Sequence, residues 1–186
     1  MEALQQEEIY TVDDIYALPD GTRAELIDGQ IYDMATPSRI HQRICHTLAW
    51  KIETYIREKK GDCEVYPAPF AVFLNQDAYN YVEPDISVIC DREKLDERGC
   101  NGAPDWIVEI ASPSTQKRDY GIKLFKYRAA GVREYWIVNP ATEAVNVYSF
   151  DDFDNEEGDD IAQYSFDAEI PVHIFEDFSI RISELL

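Results

Sequence analysis

Two runs decide the reading: Glu83-Pro84-Asp85-Ile86-Ser87-Val88-Ile89 and Trp106-Ile107-Val108-Glu109-Ile110-Ala111. Each is a strand-length apolar stretch carrying acids. An ionised carboxylate leaves water only when it is paired, hydrogen-bonded or bound to a metal. Glu109, in the middle of its run, therefore needs a partner. Asp85 opens the preceding run, so one divalent cation between neighbouring strands would satisfy both acids. Period-two alternation puts Glu83, Asp85 and Ser87 on one face of the first strand, and Asp105, Ile107, Glu109 and Ala111 on one face of the second. The structural alternative is that Asp85 caps a loop and Glu109 sits in a fixed ion pair with Lys123 or Arg118.

Downstream, Ser112-Pro113-Ser114-Thr115 breaks the strand and caps a helix that begins near Gln116 and ends at Gly131. Ile122, Phe125 and Ala129 form its apolar stripe, and Lys123 and Tyr127, four apart, share a flank. Strands are expected over 134–140 and 144–150, an acidic surface loop over 151–160, two short strands near 161–164 and 170–174, and a short helix at 181–186. The two short strands complete the sheet or extend it.

Upstream, Thr11-Val12-Asp13-Asp14 starts a short helix, and Asp28-Gly29 joins two strands in a type I′ hairpin over 23–34. Glu25 on its first strand either faces a cleft or is an exposed strand acid. Ile40, Ile44, Leu48, Ile52, Tyr55 and Ile56 recur at helical spacing until Gly61, so the longest helix packs a stripe on a sheet. His41 in its first turn either orients a phosphate or a water or is solvated. Residues 65–74 read as one strand with prolines at an edge or bend, and 91–104 as a charged loop with room for a helical turn.

The chain has 186 residues, 45% of them hydrophobic, which supports one domain over 1–186. No apolar run approaches 18 residues and residues 1–8 lack a signal-peptide pattern, so a cytoplasmic protein away from membranes is expected. Cys45, Cys63, Cys90 and Cys100 form no local pair and read as reduced packing residues; a zinc site built from them with His41 or His46 lacks the usual spacing. The net charge of −20 opposes nucleic-acid binding, but −12 of it falls in 143–186 and leaves −8 for 1–142. Within 117–133, Lys117, Arg118, Lys123, Lys126, Arg128 and Arg133 face only Asp119, which makes either a positive strip beside the acids or a solvated basic helix face. Exposed edge strands and twelve tyrosines favour a homodimer.

The order helix, strand, strand, strand, helix, strand, with acids entering from the second and third strands, suits metal-assisted phosphodiester hydrolysis. The chain resembles the putative restriction endonuclease family of the PD-(D/E)XK nuclease superfamily. The resemblance runs through Glu25-Leu26-Ile27-Asp28-Gly29, His41-Gln42, Glu83-Pro84-Asp85-Ile86, Val108-Glu109-Ile110-Ala111-Ser112-Pro113-Ser114-Thr115, Asp119 with Gly121 and Lys123, and Gly131-Val132-Arg133-Glu134-Tyr135-Trp136-Ile137-Val138. It implies an α/β (α+β) fold with a restriction-endonuclease-like core, a mixed central β-sheet flanked by helices, an N-terminal β-hairpin and extra C-terminal strands. It further implies DNA hydrolysis with Mg2+ or Mn2+ on Asp85 and Glu109, and roles in the cleft for Glu25 and His41 as third ligand or water positioner. The superfamily's usual lysine, two residues after the third-strand acid, is replaced by Ala111. Lys123 is expected to reach back in its place, with Lys117 as second choice. The alternative function is a catalytically silent nuclease-fold domain that binds nucleic acid or protein.

Overall fold

The computed structural model describes residues 8–150 and 160–186. The expected acidic loop lies outside these apart from Asp160, as does most of the N-terminal segment. The N–H and hydroxyl of Thr11 both donate to Asp14 Oδ2, starting α1 (Val12–Tyr16). The hairpin of β1 (Ala24–Ile27) and β2 (Gln30–Asp33) turns through Asp28 and Gly29, at φ 51° and 76°. Both are positive, as a type I′ turn requires. Ser38 Oγ accepts from the His41 N–H at 3.3 Å and caps α2 (Arg39–Lys59). Its left-handed cap is Lys60 at φ 55°, one residue before the glycine expected to end it.

The stretch 65–74 is not one strand. It divides into β3 (Glu64–Pro67) and β4 (Val72–Phe73), which join different sheets. Pro67 and Pro69 have no N–H to donate, so the ladder cannot run through them. β5 (Ile86–Ile89) is also shorter than expected, because Tyr81 and Val82 bridge instead to Leu26 and Val72. The segment read as a loop over 91–104 contains a 3-10 turn, β6 (Leu95–Asp96) and β7 (Gly99–Asn101), and β7 pairs with both β6 and β4. Short strands of mixed polarity carry too little periodic signal to be read from sequence.

Next come β8 (Trp106–Ile110) and one helical stretch in three pieces: α3 (Gln116–Arg118), a π-helical turn (Asp119–Lys123) and α4 (Leu124–Ala130), closed by Gly131 at φ 94°. After it come β9 (Glu134–Asn139), β10 (Ala144–Ser149) and β11 (Asp160–Ser165). The central sheet runs β11-β10-β9-β8-β5-β3, with β8 and β9 parallel across the helical crossover and the other pairs antiparallel. The sheet is mixed and flanked by helices, as expected. β11 extends it, whereas β12 (Ile170–Pro171) leaves it to pair with β13 (Ser179–Ile180).

The two faces of the sheet are covered differently. Ile86, Val88, Trp106, Val108 and Ile110 pack under Ile44, Leu48 and Ile52 of α2. On the other face Ile107, Tyr135 and Ile137 pack with Ile27, Tyr127 and Val132. Alternation along β8 therefore puts Glu109 on the face shared with the hairpin and α4.

The cysteines are not all reduced, contrary to expectation. The pairing of Glu64 with Ile89 sets Cys63 opposite Cys90, and the two form a disulfide. The 27-residue separation hid this, since register depends on pairing between strands. Cys45 and Cys100 are free and buried, with thiols donating to the carbonyls of Asp85 and Gly102, and no zinc set is assembled among the described residues. No helix among the described residues is long and apolar enough to cross a membrane.

Candidate active site

Lys123 leaves the π-helical turn and buries its side chain beneath the hairpin. Its Nζ lies 2.8 Å from Glu109 Oε1 on β8, 2.8 Å from Glu25 Oε1 on β1, and 4.0 Å from Asp119 Oδ1. Lys123 is 3% exposed and Glu25 1%, so Glu25 is not an exposed strand acid. Single π turns inside helices are rare and frequently mark functional sites. Here the turn carries both Asp119 and Lys123. Tyr127, one turn further on, donates its hydroxyl to Glu109 Oε1 at 2.7 Å, and the Glu83 N–H donates to Glu25 Oε1 at 3.2 Å.

Asp85 immediately precedes β5. Its Oδ2 accepts the Ile110 N–H at 2.7 Å and lies 3.1 Å from His41 Nε2. His41 is thus mostly buried and engaged with Asp85 rather than solvated. Glu83, expected on the same face, turns to Arg23 Nε at 2.9 Å and the Tyr81 hydroxyl at 2.7 Å.

Three carboxylates, those of Glu25, Glu109 and Asp119, gather around one ammonium, with Asp85 beside Glu109. Burial is the largest cause pushing the Glu109 carboxyl up to about 8; Lys123 opposes it, while Asp119, Asp85 and Glu25 add to it. Asp119 is raised for the same first reason, against the pull of Lys123 and a bond from Thr115. Burial disfavours the Lys123 ammonium, but Glu109, Glu25 and Asp119 outweigh that and hold it protonated well above the ordinary lysine value.

A cleft of about 430 Å³ opens over this cluster, and Glu25, His41, Asp85, Glu109 and Lys123 all line it. Every site residue expected from the sequence reaches this one place. Lys117 does not; it is exposed and lines a neighbouring hollow. Ala111 stands in the cleft wall without a polar group. The sequence reading missed Asp119 and Tyr127 as neighbours of this cluster. Their signal was spacing, four residues before and four after Lys123.

The oxygens left free define what the site can hold. Among the described residues no donor bonds Asp85 Oδ1 or Glu109 Oε2, and no group of three or more His, Cys, Asp or Glu side chains could hold a metal ion. Two carboxylates fit Mg2+, which dehydrates reluctantly and keeps several waters, better than an ion needing a full protein cage. The excess of negative charge in the cluster also suits a divalent cation.

Residues 12–183 match the model of a family described as Uma2, putative restriction endonuclease. The chain belongs to the Uma2 family. Over 136 residues this Uma2 chain is 29% identical to the uncharacterized protein slr1290 of Synechocystis sp. (strain ATCC 27184 / PCC 6803 / Kazusa), covering 73% of this chain and 68% of that protein. Its fold is similar to the crystal structure of a protein described as a putative nuclease belonging to DUF820, from Anabaena variabilis ATCC 29413. The TM-score is 0.73 at 22% identity, covering 94% of this Uma2 chain and 96% of the other.

Proposed function

We propose that this Uma2 chain, acting as a single domain over 1–186, is a metal-dependent endonuclease that hydrolyses phosphodiester bonds of DNA. The observation that carries the proposal is Lys123 Nζ at 2.8 Å from Glu109, which supplies from the following helical stretch the cation absent at Ala111. Asp85 and Glu109 would hold Mg2+ or Mn2+ through their free oxygens. When bound, such an ion polarises a phosphoryl oxygen and acidifies its water.

The protein's own groups prepare that centre. The Ile110 N–H and His41 fix one oxygen of Asp85, leaving the other for a ligand. Tyr127 and Lys123 do the same for Glu109. The Lys123 ammonium is a preorganised positive charge facing the negative charge that develops on phosphate oxygens, in a site already shielded from water. Glu25 holds that ammonium between two carboxylates and so sets its position. His41 is a positioning residue for Asp85 and a candidate to orient the attacking water.

A homodimer is the assembly we propose, with Trp50 and Phe125, 61% and 68% exposed, as apolar surface for it. We place the activity in the cytoplasm, where DNA lies; a disulfide such as Cys63–Cys90 is uncommon there. The competing reading is a silent binding module. Its support is the burial of Lys123 in a closed ion-pair cluster, together with the net charge of −20.

The test is cleavage of supercoiled plasmid in Mg2+ or Mn2+ by the wild type and by Asp85→Asn and Glu109→Gln. Nicking by the wild type and its loss in both folded variants is expected. Undiminished nicking in both, or anomalous density absent between Asp85 and Glu109 in a manganese-soaked crystal, overturns the proposal.

A further inference from the structure

Among the described residues, Arg118 is the cation of the cleft wall that has no acid. Four basic side chains line the cleft, and three are engaged: Arg23 with Glu83, His41 with Asp85, and Lys123 with Glu25 and Glu109. The Arg118 guanidinium makes no ion pair or hydrogen bond among the described residues, and its Nε is buried without a partner. The chain carries 37 acids against 17 lysines and arginines, so an acid was available almost anywhere. A buried donor left unpaired costs free energy that an acceptor would return.

Its surroundings say what kind of acceptor. The guanidinium lies over the Tyr32 ring of β2, 5.1 Å from the centroid, which holds its plane while leaving its donors free. Arg118 lines two depressions at once: the cleft, and a hollow of about 540 Å³ between β2 and the segment following β8. Lys117, Ser114 and Thr115 also line that hollow, with Asp33 as its exposed acid. Lys117 makes no ion pair among the described residues. A guanidinium fork, an ammonium and hydroxyls beside one another recognise a phosphodiester, the fork taking two of its oxygens.

We infer that Arg118, supported by Lys117 and Ser114, grips a phosphate adjacent to the scissile one, so that the cleaved strand leaves the cleft between β2 and residues 112–118. This rests on the nuclease reading. It also gives a chain of charge −20 a local pair of cations for a polyanion.

The experiment measures binding of a fluorescein-labelled DNA duplex by anisotropy over a salt series, with Ca2+ present to hold the duplex uncut, for the wild type, Arg118→Ala and Arg118→Lys. Nicking is followed in parallel with Mg2+. Arg118→Ala is expected to weaken binding by about tenfold or more and to flatten the slope of log K against log salt by about 1. Arg118→Lys, which keeps the charge, should restore the slope but not the full affinity, a pattern that misfolding would not produce. A wild type that binds and nicks, with an Arg118→Ala variant of equal affinity and slope, overturns this inference alone. A wild type that neither binds nor nicks removes the nuclease reading and this one together.

Discussion

Lys123 Nζ and Glu109 Oε1 stand 2.8 Å apart with both side chains almost fully buried, and the same nitrogen is equally close to Glu25, 98 residues away in the chain. One buried ammonium thus ties the hairpin, the central sheet and the helical crossover together. The pair joins fold and chemistry: the charge that would assist hydrolysis also neutralises acids that could not otherwise be buried.

Lys123→Met keeps the length and apolar stem but removes the charge. It leaves Glu25, and Glu109 once its raised carboxyl ionises, buried without their cation, and breaking such a cluster costs about 3–5 kcal/mol. Urea unfolding should show a loss of this order, with nicking abolished. A variant as stable as the wild type would mean that the carboxylates take up protons at no cost, and would remove the structural role assigned to Lys123.

Glu109 gives stability a pH dependence of defined sign. Its carboxyl is raised from 4.5 to about 8 in the folded chain, with burial as the main cause. Below pH 4.5 both folded and unfolded states hold the proton. Between 4.5 and about 8 the unfolded state has released it and the folded state has not, so stability falls as pH rises, by at most about 1.4 kcal/mol per pH unit for one proton. Glu109→Gln should flatten this part of the metal-free stability profile. An unchanged slope in the variant would assign the effect to another group.

The Cys63–Cys90 bond closes a loop with a sequence separation of 27 between β3 and β5. Loop-closure entropy gives such a cross-link a stabilisation of about 3.5 kcal/mol. Reduction, or Cys63→Ser with Cys90→Ser, should lower the thermal midpoint while leaving the Lys123 cluster intact. A midpoint indifferent to reductant would show that the bond adds nothing to the folded state's stability.

What the sequence determined was local and periodic. Alternation along 105–111 put Glu109 on one face of a strand, Asp28-Gly29 specified the hairpin turn, and the apolar spacing of Ile44, Leu48, Ile52 and Ile56 made α2. The departure at Ala111, set against the family resemblance, was also legible, because motif position is written in neighbouring residues. What only the tertiary structure decided was encounter across the chain. Glu25 meets Lys123, His41 meets Asp85 and Cys63 meets Cys90 because strand register and the packing of the hairpin over the sheet bring them together. The same holds for Arg118, whose lack of an acid among the described residues is a property of everything folded around it. Local propensity acts over a few residues, whereas the burial that forces a charge to find its partner exists only once the sheet and its two coverings have closed.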